Sequence, residues 1–283
     1  DGVAFRVFKN IPHTVPDLLR TSREKHANGS ADYLVYRSEC WSYDAYCADV
    51  ARFSSVLKNQ FDVGKGTRVA VAMRNCPELL IALMAISNLG GVVVFLNAWW
   101  TTNELDYALR DSACALVIAD GLRAERLLPL RDPLGLRIVG VRNYEVEGVE
   151  DYTDLMAQVS DFEGFFENSE VEIHTDDDFA IMYSSGTTGK PKGVIQTHRG
   201  AVNAVFTFLM QAAIAPLMDL NHNPDAPRPR PVALVATPLF HVTATHPVFL
   251  LSIPAGAKLV LLEKWDAAEA VRQITQHSVT RFI

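Results

Sequence analysis

Short apolar runs and helix-spaced segments take turns along most of this chain. Residues 68–73, 92–96, 115–119, 136–141, 179–183, 232–237, 258–262 and 279–283 are brief and rich in valine, leucine, isoleucine and alanine, which predicts buried strands. Between them, 77–89, 101–111, 121–130, 198–215 and 266–277 read as helices. Thr101 with Glu104 three residues later makes a capping-box pattern, and Asp266 sits where an N-cap belongs. Upstream, an extended segment at 33–36 precedes a helix at 42–59. Alternation of this kind predicts an α/β fold of mostly parallel sheets flanked by helices.

The pattern has two breaks. Glu163, Glu167, Glu170, Glu172, Asp176, Asp177 and Asp178 accumulate in one stretch, which reads as a link between sub-units at about 1–174 and 175–283 of a single domain, 1–283. Residues 219–231 are rich in proline, asparagine and aspartate and predict a surface loop. The run 279–283 has the look of a central strand, after which the chain stops. Since an unpaired apolar edge invites association, the expectation is a domain trimmed at both ends. The longest apolar stretch, 79–100, is interrupted by Ser87, Asn88, Gly90 and Gly91 and continues as Val92-Val93-Val94-Phe95-Leu96. It therefore reads as helix, turn and strand rather than as a transmembrane segment.

Composition narrows the function classes. The chain has 283 residues, 49% of them hydrophobic and 21% charged, enough for a sizeable globular core. A net charge of -7 supplies no electrostatic footprint for nucleic acid. Cys40, Cys47, Cys76 and Cys114 are scattered without a CxxC pair, so reduced thiols and a cytoplasmic setting are expected. His241 and His246 lack the intervening glutamate of a zinc protease, and no secretory signal is visible.

The densest chemistry lies at 183–193, Tyr-Ser-Ser-Gly-Thr-Thr-Gly-Lys-Pro-Lys-Gly, directly after the apolar run 179–182. A strand opening into glycines, hydroxyls and lysines can hold phosphate: glycines bring backbone N–H groups close, hydroxyls add hydrogen bonds, and lysine adds charge. Gly186 and Gly189 are only three apart and Pro191 follows Lys190, so this is not a Walker A loop. Residues 63–67 fail the same test, with Asn59 where the first glycine should stand.

The loop resembles the phosphate-binding motif of the adenylate-forming superfamily, which includes acyl- and aryl-CoA ligases, peptide-synthetase adenylation domains and beetle luciferases. It matches SGTTGxPKG throughout. The resemblance implies the large N-terminal domain of acyl-CoA synthetases, with two stacked mostly parallel sheets, here incomplete at the C-terminus. It also implies that Ser184, Ser185, Gly186, Thr187, Thr188, Gly189 and Lys192 bind the ATP phosphates and that Ser184 approaches Mg2+. Lys190 falls at a variable position and is expected to be solvated. Pro238-Leu239-Phe240-His241 follows a strand, at the end where open α/β sheets bind ligands, and resembles the acyl-CoA ligase branch. There Phe240 and His241 would line the acid site. Trp41-Ser42-Tyr43 and residues 90–109 are similar to further family segments, although Ala98 stands for a usual proline and Ala244 for a common glycine.

The implied reaction has two steps. A carboxylic acid, with a fatty acid favoured, attacks the α-phosphate of Mg-ATP to give acyl-adenylate and pyrophosphate, and CoA then displaces AMP. Charge-assisted hydrogen bonds of about 1.5–3 kcal/mol each from the loop would hold the polyanion. The family's catalytic lysine and its adenine, ribose and metal segments would lie beyond Ile283, so the chain alone is expected to be inactive. Two alternatives stay open: a non-catalytic nucleotide-binding or interaction module, and an adenylation domain or aryl-CoA ligase.

Overall fold

The strand at Arg68–Ala72 is apolar on both sides, and both sides are buried. Val69 and Val71 enter one core cluster, whereas Ala70 and Ala72 enter another. A strand covered on both faces belongs inside a parallel sheet with helices above and below, and the computed structural model has that arrangement. It describes residues 4–26, 31–142, 146–162, 165, 171–184, 190–218, 223 and 229–282.

Twelve strands form two sheets among the described residues. In chain order they are β1 (Asp32–Tyr36), β2 (Glu39–Ser42), β3 (Arg68–Ala72), β4 (Val92–Phe95), β5 (Leu116–Asp120), β6 (Arg137–Val141), β7 (Glu150–Asp151), β8 (Asp178–Ser184), β9 (Lys192–Thr197), β10 (Val232–Val235), β11 (Lys258–Leu261) and β12 (Arg281–Phe282). The seven-stranded sheet has the order β7-β6-β5-β3-β4-β8-β9, and the five-stranded sheet the order β12-β10-β11-β1-β2. All neighbours run parallel except the β1/β2 and β8/β9 pairs. The expected fold of two mostly parallel sheets is therefore the observed one. Sheet membership does not follow the 1–174 and 175–283 division, because β8 and β9 extend the sheet of β3–β7 while β10–β12 join β1 and β2.

The helices are α1 (Val15–His26), α2 (Tyr43–Phe61), α3 (Pro77–Asn88), α4 (Thr102–Ser112), α5 (Gly121–Leu134), α6 (Tyr152–Ala157), α7 (His198–Ile214), α8 (Val242–Ala244), α9 (Leu251–Ala255) and α10 (Ala267–His277). A π-helical stretch, Thr245–Leu250, joins α8 to α9. One large core cluster draws residues from α1, α2, α3, α7 and 244–253 together with inward residues of both sheets. Smaller clusters cover the outer faces, with α4 and α5 on the seven-stranded sheet and α10 on the five-stranded one. Helix α3 is apolar all round and almost wholly buried, which suits the middle layer. Its exit is tight: Gly90 adopts φ +69°, and a Cβ on Gly91 would lie 2.9 Å from Ile86 Cγ2.

Several elements depart from the sequence expectation. Strand β9 begins inside the expected loop 183–193 and runs on to Thr197, and α1, β2, β7, α6 and the helical segment Val242–Ala255 were not anticipated. Strand β12 is a two-residue edge strand with Phe282 half exposed, not a central one. Ile283, Glu163, Glu167, Glu170 and most of the expected loop 219–231 lie outside the described residues. The stretch 79–100 is α3, turn and β4 as expected. One helical segment, His198–Met218, is nevertheless long and apolar enough to cross a membrane by length and composition. Its first turns pack inside the fold through His198, Ala201, Val202 and Val205, while only 17% of its apolar window is buried.

Two buried histidines flank Phe179 in the middle layer, with ring centroids 5.5 Å (His198) and 6.4 Å (His246) away. His198 Nδ1 accepts a hydrogen bond from the Val15 N–H at 3.2 Å. Burial lowers both pKa values from 6.5 to about 4, so both rings are neutral at pH 7. Between about pH 6.5 and 4 the unfolded chain takes up protons that the folded one refuses, so stability falls as pH falls through that window. The full effect is roughly 2–4 kcal/mol per histidine. Urea midpoints measured from pH 7 to pH 5 should decline steadily and decline less in His246→Phe; parallel slopes in the two proteins would contradict this assignment.

Candidate functional site

The loop expected to bind phosphate is the connection of a β-hairpin. Ser184, the last residue of β8, pairs with Lys192, the first of β9, and Tyr183 pairs with Gly193. The chain between them therefore leaves and returns at adjacent points on the end of the seven-stranded sheet. Ser184 and Lys192 are both exposed there. Ser185, Gly186, Thr187, Thr188 and Gly189 lie outside the described residues.

Gly193, the last glycine of the motif, has a packing reason rather than a phosphate one. A Cβ built on it would stand 2.9 Å from Ile181 Cγ2 and 3.4 Å from the Tyr183 ring. Only glycine lets β9 cross β8 at this point without moving the residues that lead into Ser184.

Phe240 and His241 approach from the other sheet. They follow β10, and the turn that carries them is tied across to β3. The buried Asn75, just beyond β3, donates to Thr237 O at 3.0 Å and accepts from the Leu239 N–H at 2.9 Å. The Thr245 hydroxyl donates to Leu239 O at 2.6 Å, and the Thr245 and Ala244 N–H groups bond His241 O. His241 takes the N-cap position of α8 with its side chain free of capping duty. Asn75 went unnoticed in the sequence; the available signal was an asparagine two residues before the proline that opens α3.

These pieces meet at one cavity of about 480 Å³. Ser184, Tyr183 and Pro191 form one side, and Phe240, His241 and Val242 another. Asn97 and Trp100, just after β4, close it, so the carboxyl ends of β4, β8 and β10 converge as open α/β sheets allow. Lys192 is not among its lining residues. Partial burial lowers the His241 pKa below its usual 6.5, so the ring faces the cavity neutral at pH 7. The Phe240 ring packs against Trp99 at 5.2 Å. Both residues also line a second cavity of about 210 Å³, with Arg74, Glu263, Lys264 and Trp265. Among the described residues no cluster of three His, Cys, Asp or Glu side chains is placed to hold a metal ion.

The profile of a family described as AMP-binding enzyme matches residues 22–283. Similar curated proteins include a 4-coumarate--CoA ligase of Oryza sativa, 31% identical over 244 residues, covering 82% of this chain and 40% of the relative. A long-chain-fatty-acid--CoA ligase of Bacillus subtilis is 28% identical over 300 residues, covering 96% of this chain and 51% of the relative. Among solved structures, the N-terminal domain of FACL13 from Mycobacterium tuberculosis superposes with a TM-score of 0.76 at 26% identity, over 95% of this chain and 62% of that one. The anthranilate CoA ligase AuaEII, in complex with anthranoyl-AMP, gives 0.79 at 20% identity over 95% and 49%, a likeness of fold. The chain thus spans about half or less of the length of these curated relatives.

Gly193→Ala should weaken the hairpin by about 1–3 kcal/mol, read as a lower urea midpoint. An unchanged midpoint would show that β9 tolerates the added methyl.

Proposed function

The chain belongs to the AMP-binding enzyme family, and from that membership we propose that it carries the ATP-phosphate and acid-lining face of an AMP-forming acid–CoA ligase. The observation that carries the reading is the convergence of Ser184, at the mouth of the phosphate hairpin, and His241, from the opposite sheet, on one cavity.

In this reading Ser184, Ser185, Thr187, Thr188 and the amides of Gly186 and Gly189 hold the β- and γ-phosphates, and Lys192 supplies the charge that lets a carboxylate approach a polyanion. Mg2+ neutralises the phosphates when bound. In this chain the Ser184 hydroxyl is the group that would approach it, with phosphate oxygens supplying further ligands. The neutral His241 ring and the apolar Phe240, Val242 and Met182 walls suit an acid with an apolar tail whose carboxylate points toward Ser184. A fatty acid is the favoured substrate. An aromatic acid is the second reading, supported by the rings of Trp100 and Phe240 in the same wall.

Two outcomes test this. A full-length protein carrying this chain should catalyse ATP–pyrophosphate exchange with some members of a panel of fatty and aromatic acids, and Lys192→Ala should slow that exchange by about 10²-fold while leaving the KM for CoA unchanged. Unaltered exchange in that variant would remove Lys192 from the phosphate site. Residues 1–283 alone should form no acyl-CoA from any acid in the panel; its formation would contradict the division of labour proposed here.

A further inference from the structure

Both flanks of the phosphate hairpin rest on the same helix. On the incoming side, the Tyr183 hydroxyl donates to Ala108 O at 3.0 Å and to Asp111 Oδ2 at 2.8 Å, and its ring meets Trp100 edge-on at 5.5 Å. On the outgoing side, Lys190 Nζ stands 5.4 Å from the centroid of the Tyr107 ring, a cation–π distance. Tyr107, Ala108 and Asp111 all belong to α4, and Tyr107 and Asp111 lie one helical turn apart on one side of it. Lys190, expected to be simply solvated, thus has a fixed neighbour.

Resting on the reading of the hairpin as a phosphate site, we propose that α4 seats it, with Asp111 and Tyr107 as positioning residues for ATP. The helix is built to serve as a rigid base. Its start is locked by the reciprocal capping box of Thr101 and Glu104, and Leu105, Ala108, Leu109 and Ser112 are buried in the outer core. Asp111 does nothing for the helix itself, since a carboxylate in a last turn opposes the helix dipole. Its described bond is the one to Tyr183, the residue before Ser184. Burial, and the carboxylate of Asp111 beside it, raise the Tyr183 pKa, so the phenol keeps its proton and stays a donor. Gly193 completes the seat by letting β9 pass close over the Tyr183 ring. Amides that must converge on an anion work only if the ends of their loop are held.

The test separates seating from plain stability. In residues 1–283, Asp111→Ala and Tyr183→Phe should speed hydrogen exchange of the peptide spanning 184–192 by about tenfold, with β3 to β6 unchanged. Asp111→Asn, which keeps an acceptor, and Tyr107→Phe, which keeps a ring, should keep wild-type protection, whereas Tyr107→Leu should lose it. In the full-length protein, Asp111→Ala should raise the KM for MgATP in pyrophosphate exchange roughly fivefold and leave the KM for the acid unchanged. A lower thermal midpoint with unaltered hairpin exchange and unaltered MgATP KM would overturn the proposal by making Asp111 merely structural. Absence of pyrophosphate exchange in the wild-type full-length protein would overturn the ligase reading instead, and the hydrogen-exchange arm would still decide whether α4 seats the hairpin.

Discussion

Everything in this fold depends on two sheets sharing one apolar helical layer. The inward residues of β1, β10 and β11 and those of β3, β4 and β8 bury themselves against the same helices, α1, α3 and α7 among them. Neither sheet can slide relative to the other without exposing that layer, at roughly 25 cal/mol for each Å² of apolar surface. The consequence is functional as well as structural. The carboxyl ends of β4, β8 and β10 come from different sheets and distant parts of the chain, yet they open on one cavity.

Polar contacts then refine what the apolar layer brings together. Asn75 reaches from the end of β3 to the turn after β10 and satisfies both a carbonyl and an N–H there. Such a buried amide is costly to leave half paired, so it sets the height of Phe240 and His241 relative to the hairpin. On the other side, α4 holds the hairpin by Tyr183 and Lys190. The two sides of the cavity are thus positioned independently, one through β3 and one through α4.

The alternation of strands and helices was legible because each interior strand is buried on both faces and because α4 and α10 carry N-cap signals in the sequence. Thr101 with Glu104, and Asp266, act as the sequence suggested. What escaped was structure that only pairing creates. Only residues 192 and 193 of β9 fall in the motif loop, and the strand Lys192–Thr197 forms by pairing with the edge that β8 offers. Helix α1 carries its buried apolar residues at Val15, Leu18 and Leu19, a helical spacing visible in the sequence but too short to stand out from the flanking polar residues. The motif at 183–193 was visible in full, as was His241 at a strand end. Their meeting was not, because it is fixed by Asn75 and by sheet stacking, neither of which has a local signature.

The most direct measurement is a crystal structure of a full-length protein carrying this chain with a non-hydrolysable ATP analogue, Mg2+ and a carboxylic acid. The account requires phosphate oxygens within hydrogen-bond reach of the Ser184 hydroxyl and close to Lys192, with the acid's carboxylate between Ser184 and His241. A nucleotide bound away from the hairpin, or an acid seated outside the cavity shared by Ser184 and His241, would contradict it.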